Sequence, residues 1–194
     1  MSSSKIRKQN TQKLVFAAIL TAMVIVLQYI SMALRFGTFS ITLTLVPIVI
    51  GAATCGVLTG GWLGCVVGVI VLLSGDAAPF LAVDFLCTII TVLAKGTLCG
   101  TIAGLVYKAF AKKNQYLAVI AAAITCPVVN TGVFLLGCCI FFLETIKGWG
   151  VAAGFTNISA YMFIGLAGIN FVIEFITNII LAPVILRVLK FAKK

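Results

Sequence analysis

Six apolar stretches, most of them long enough to cross a lipid bilayer, follow one another along the chain with little that is polar between them. They run Leu14–Leu34, Ile41–Val57, Leu58–Leu73, Val83–Tyr107, Tyr116–Leu143 and Ile158–Leu186. A span needs about 20 predominantly apolar residues, and a backbone in lipid must satisfy its own hydrogen bonds, which favours helices. What remains of the 194 residues makes only short loops and tails. The chain is 62% hydrophobic and 9% charged, against roughly 45–50% and 25% in a soluble domain. The expected fold is an all-α integral membrane protein, a compact bundle of six transmembrane helices forming one domain over 1–194. No soluble catalytic or nucleotide-binding domain fits beside it. The first stretch lacks the small-residue exit of a cleavable signal and is expected to stay as a helix.

The formal charge of +10 is distributed in a telling way. Eleven of the fourteen basic residues form three clusters: Lys5, Arg7, Lys8 and Lys13; Lys108, Lys112 and Lys113; and Arg187, Lys190, Lys193 and Lys194. Each abuts an apolar stretch, the topogenic use of positive charge. With six spans, all three clusters fall on one side, which puts both termini in the cytoplasm of a plasma membrane. The basic segments are then an N-terminal tail (1–13), a loop (108–115) and a C-terminal tail (187–194). Five or seven spans would split the clusters. Contact with anionic lipid headgroups follows from such placement; a nucleic-acid partner does not, because no basic face with interleaved aromatics appears.

The outward connections are expected around Arg35, around Asp76 and Asp84, and from Glu144 to Asn157. The last, with Trp149, Phe155 and three glycines, suits a mobile cover over a site, or equally an interfacial aromatic belt. Asp84 reads as a helix cap. Gly96, Gly100 and Gly104, and likewise Gly64 and Gly68, recur every fourth residue, so helices can approach closely on those faces. Ala18 and Ala22 share a face of the first span with Thr21 beside them. That face serves either internal packing or docking of another membrane subunit.

Ionisable groups at membrane depth need a reason. Lys95 lies 13 residues before Lys108, and Glu174 lies 13 before Arg187, which lifts both about 20 Å above their anchors at 1.5 Å per residue. Thr91, Asn130 and Asn170 are each 17 residues from a basic anchor, one turn further out. Pro127 should open the hydrogen-bond ladder just before Asn130. Either Lys95 and Glu174 form a buried salt bridge that fixes helix register, or the layer is the floor of an outward-facing pocket. In the second case Lys95 meets a ligand anion, the amides orient it, and Gln28, Trp62, Trp149 and Tyr161 supply walls or a lid. Trp62 also lies near the turn between spans two and three, where the cytoplasmic interface is expected.

Histidine is absent, there are four carboxylates, and the seven cysteines form no C-x-x-C pair. No metal site, cofactor site, catalytic triad or phosphate-binding loop can be assembled from these residues. The chain is not expected to be an enzyme.

Six spans, cytoplasmic termini, this length and the A-x-x-x-A pair Ala18–Ala22 together resemble the substrate-binding S component of energy-coupling factor transporters. The stretch Thr42-Leu43-Thr44-Leu45-Val46-Pro47, with Gly51 and the glycine-rich third span, is also similar to vitamin-binding members. The resemblance covers essentially the whole chain. It implies a capture subunit for a small water-soluble vitamin, bound on the outer side beneath the loop between helices one and two. It also implies a transmembrane coupling protein, docking on Ala18, Thr21 and Ala22, and two cytoplasmic ATPases, with the subunit toppling in the membrane to release its cargo inward. Lacking histidine, the chain departs from the cobalt and nickel members. Lys95 and Arg35 favour a substrate carboxylate or phosphate, and Thr91, Asn130 and Asn170 favour hydroxyl or amide groups. Pantothenate has both features and comes first, followed by biotin, folate and a pyridoxine-like compound. A small membrane scaffold or regulatory bundle without ligand is the alternative.

Overall fold

The computed structural model describes residues 3–33 and 43–192, and among them every regular element is helical. The helices are α1 (Ser3–Ala33), α2 (Leu45–Thr54), α3 (Val57–Leu73), α4 (Ala78–Leu81) and α5 (Phe85–Ala111). Then come α6 (Gln115–Phe141), α7 (Leu143–Ala152), α8 (Ile158–Ala160), a π-helical segment (Tyr161–Ala167) and α9 (Gly168–Ala192). Four contain apolar segments long enough to cross a membrane by length and composition: Asn10–Ser31, Phe85–Ala111, Gln115–Phe141 and Asn170–Phe191. Much of their surface is apolar and outward-facing, as at Leu14, Ile140 and Ile180. Water does not tolerate such patches, and lipid does.

The elements depart from the expected spans in four places. At 10 residues, α2 is only about 15 Å long, well short of the 17-residue second stretch. The expected sixth helix is interrupted: Gly168, at φ 34° and ψ −136°, takes a conformation that side chains disfavour, between the π-helical segment and α9. Hydropathy is continuous across that break and cannot register it. Residues 143–152, expected as part of a loop, form α7, whose Ile146 is fully buried. The basic tails and loop are largely helix, since α1 begins at Ser3, α9 runs to Ala192 and only 112–114 separate α5 from α6.

Helix α5 is the hub, packed along α3 on one side and α6 on the other. The α3–α5 seam is backbone against backbone. A Cβ placed on Gly64 would overlap the carbonyl oxygen of Gly96, and one on Gly96 would overlap that of Gly64. Gly60 and Gly100 repeat the relation one turn along. Small residues thus buy close approach where hydrophobic collapse gives no drive inside lipid. Caps mark the ends: the backbone N–H of Cys87 donates to Asp84 Oδ1 at 2.8 Å to start α5, and Tyr116 N–H donates to Asn114 Oδ1 at 2.8 Å to start α6. The main core joins α1, α2, α6 and α9 through Leu20, Val24, Ile48, Val49, Ala122 and Ile185.

Helix α1 packs on α2 and α3. Its Ala18 and Ala22 are exposed among the described residues. Thr21 beside them donates its hydroxyl to Ala17 O at 2.8 Å and accepts from Trp62 Nε1 at 3.3 Å.

Candidate functional site

Five of the long-helix positions carrying polar groups converge because α6 packs along α5 and α9. Between them, closed by α1, α2, α3, α4 and the π-helical segment, is a cavity of about 440 Å³. That is within the range of about 300–1,000 Å³ usual for small-molecule sites.

Its polar wall contains Thr91 and Lys95 from α5, Asn130 from α6, and Asn170 and Glu174 from α9. Gln28 and Tyr161 complete the set of expected residues that line it. Arg35 lies outside the described residues. Trp149 is not in the wall: α7 holds its ring edge-on to Phe80 at 5.2 Å, and it is Phe80 that faces the cavity. A loop would have been free to fold Trp149 inward; the helix fixes it one ring behind. Trp62, 59% exposed on α3 and tied to Thr21, is likewise outside the wall. Ala18, Thr21 and Ala22 are no part of the cavity.

Several groups join the wall that hydropathy could not nominate. Asp76 comes from the turn after α3, Phe80 from α4, and Thr88 from the first turn of α5. Phe80 makes edge contacts with Phe134 at 5.6 Å and Phe142 at 5.2 Å, besides Trp149. This aromatic cluster walls one side. The Tyr161 ring is accommodated by glycine on two sides, since a Cβ on Gly165 would come within 2.6 Å of it and one on Gly150 within 3.3 Å. A π-helical segment here widens the turn that carries Tyr161, Gly165 and Leu166 into the wall.

The electrostatics divide the cavity. Asn130 Nδ2 donates to Glu174 Oε2 at 3.4 Å, joining α6 to α9. One turn away on α9, Asn178 is fully buried and donates through Nδ2 to the Glu174 carbonyl at 2.9 Å. Lys95 Nζ instead lies 5.1 Å from the centroid of Phe134, a cation–π contact. Among the described residues no carboxylate is within ion-pair distance of it, and the ion pair present is Lys147 with Glu144 on α7. The expected alternative of a direct Lys95–Glu174 salt bridge is therefore not the arrangement found. Thr91 turns its hydroxyl to Cys87 O at 2.8 Å and packs its side chain on Gly137 of α6.

This chemistry holds a cation beside an aromatic wall, amide and hydroxyl groups, and the carboxylates of Asp76 and Glu174. It can orient a small polar molecule, and it assembles no nucleophile–base pair. Among the described residues no group of three metal-ligating side chains gathers.

No curated protein and no solved structure matches the chain. A family model described as "ECF transporter, substrate-specific component" matches residues 12–187, nearly the whole chain, including every described residue of the cavity wall. The chain belongs to the substrate-specific components of energy-coupling factor transporters, a multi-pass plasma-membrane subunit that captures a small molecule for transport and is not itself an enzyme.

Proposed function

We propose that this subunit captures a small, anionic, water-soluble vitamin in the cavity between α5, α6 and α9, with pantothenate the first candidate. The observation that carries the proposal is Lys95: a half-buried ammonium in a cavity wall, over the Phe134 ring, with no carboxylate at ion-pair distance among the described residues. A ligand carboxylate supplies the missing counter-ion, and charge-assisted hydrogen bonds are the strong ones. Asn130, Asn170, Thr91 and Glu174 then serve hydroxyl and amide groups, and pantothenate carries both. Biotin, folate and a pyridoxine-like compound share parts of this pattern and rank behind it. Arg35 is proposed as a second cation for the ligand's anionic group.

The chain is proposed to cross the membrane six times with both termini cytoplasmic, on the strength of its three basic clusters. Its cavity then receives substrate from outside. The face of α1 with exposed Ala18 and Ala22 and partly buried Thr21 receives the transmembrane coupling subunit, and two cytoplasmic ATPases supply the energy.

Mass spectrometry of small molecules retained by the purified protein tests this directly, followed by titration with pantothenate. A retained anion that the wild type binds and Lys95→Met does not is the expected result. A retained cation, or unchanged affinity in Lys95→Met, overturns it.

A further inference from the structure

Helix α1 reaches the cavity through one described residue, Gln28. That side chain is only 5% exposed. Its amide oxygen is already engaged: the hydroxyl of Thr44, which is wholly buried just before α2, donates to Gln28 Oε1 at 3.3 Å. Three residues along α1, Ser31 Oγ accepts from the backbone N–H of Leu43 at 3.4 Å, a second tie between the same two segments. Thr44 itself stands outside the wall. Among the described residues, the side-chain hydrogen bond that Gln28 makes is through this oxygen and not through its amide nitrogen.

A carboxamide can offer either its oxygen or its nitrogen to a ligand, because both ends have similar shape. Capping the oxygen from behind removes that choice. We propose that Thr44 is a positioning residue that turns the Gln28 amide nitrogen into the cavity, making α1's contribution to the wall a hydrogen-bond donor only. The captured molecule then places an acceptor, a carbonyl, carboxylate or phosphate oxygen, against α1, and the pair couples the outer end of α1 to α2. The inference rests on the cavity being the capture site. Thr44→Val keeps the side-chain shape and removes the hydroxyl, so the amide is free to turn over.

The test uses the full chain in lipid nanodiscs, with Thr44→Val, Thr44→Ser, Gln28→Leu and the double variant Gln28→Leu/Thr44→Val. Backbone hydrogen exchange over residues 24–33, measured without ligand, reads the pair itself. Each single loss is expected to speed exchange about three- to tenfold, the worth of one neutral hydrogen bond. The double should be no faster than the faster single, Thr44→Ser should behave as wild type, and α6 should be unaffected. Additive effects, or none, overturn the pair. Titration with pantothenate reads the donor: Gln28→Leu and Thr44→Val should each bind about three- to tenfold more weakly, with recovery in Thr44→Ser. Wild-type affinity in both overturns the donor role. If the wild type fails to bind pantothenate, the vitamin assignment falls, and exchange over α1 alone decides whether Thr44 positions Gln28.

Discussion

Asn130 on α6 and Glu174 on α9 meet across 3.4 Å, amide to carboxylate, while Lys95 on α5 stands over the Phe134 ring. The carboxylate that depth alone would pair with Lys95 is thus held by a neutral neighbour. The lysine ammonium lies 5.1 Å from the Phe134 ring centroid, with no carboxylate at ion-pair distance among the described residues. Breaking a buried ion pair costs several kcal/mol because it strands a charge; replacing this lysine breaks no direct pair among the described residues.

Lys95→Met is therefore expected to leave the melting temperature of the ligand-free protein near wild type while weakening capture about ten- to hundredfold, the equivalent of roughly 1.5–3 kcal/mol for one charged hydrogen bond. The double variant Lys95→Met/Glu174→Gln should remain equally weak. Calorimetric titration beside a thermal melt separates the two effects. A large drop in melting temperature with affinity intact would return Lys95 to a structural role.

The seam between α3 and α5 makes a steric prediction. Gly96→Ala puts a methyl group into the carbonyl of Gly64, and backbone cannot rotate away as a side chain can. A cost of roughly 1–3 kcal/mol is expected, as for other overpacked cores. Gly132→Ala on α6 meets nothing within 4 Å and should be neutral or slightly stabilising, since alanine is the better helix former. Denaturation in one detergent, followed by helical circular dichroism, compares the pair. Equal effects would mean the seam is looser than its geometry.

Ala18 and Ala22 are exposed, so leucine at both should fold normally and bind ligand as the wild type does. Transport in membranes containing the coupling module should fall, because the larger side chains fill the approach that small ones leave open. Parallel loss of ligand binding would argue that α1 packs differently.

At the start of α5, the backbone N–H of Cys87 holds the Asp84 carboxyl below its usual range. A depressed folded pKa means the carboxylate stabilises the fold above the unfolded value, about 4, and that this contribution fades as pH falls through the folded value. Asp84→Ala should melt below wild type at neutral pH, with the gap closing on acidification. Asp84→Asn, which keeps an acceptor for the cap, should lose less. A gap independent of pH would remove the carboxylate's charge from the account.

Topology is open to labelling in a variant whose seven cysteines are replaced. A single cysteine at Gly148 should react with an impermeant reagent added to intact cells, and one at Lys113 should not. Labelling at Lys113 overturns the proposed orientation.

Counting residues from the basic anchors groups Thr91, Asn130 and Asn170, and all three line the cavity. That arithmetic fails wherever the rise changes. It could not place Asp76 or Phe80, which follow a turn and a four-residue helix, or detect Gly168, where the apolar run continues but the helix does not. Trp149 was misplaced for a related cause: the glycines of 144–157 suggested a loop, while Ile146 had an apolar pocket that made a helix worth forming. Thr44 stands in a stretch of family resemblance, but nothing in the sequence assigns it a role. Its meaning depends on Gln28, sixteen residues away, and on a contact between helices that no single segment encodes.

One face of α1 bears Ala18 and Ala22, while among the described residues only Gln28 connects this helix with the cavity. If the coupling subunit docks at Ala18 and Ala22 as proposed, cargo recognition and assembly are written in almost separate parts of the gene. On that proposal, drift in α5, α6 and α9 retunes what is captured without altering the docking helix, so descendants with new diets need not wait for new machinery.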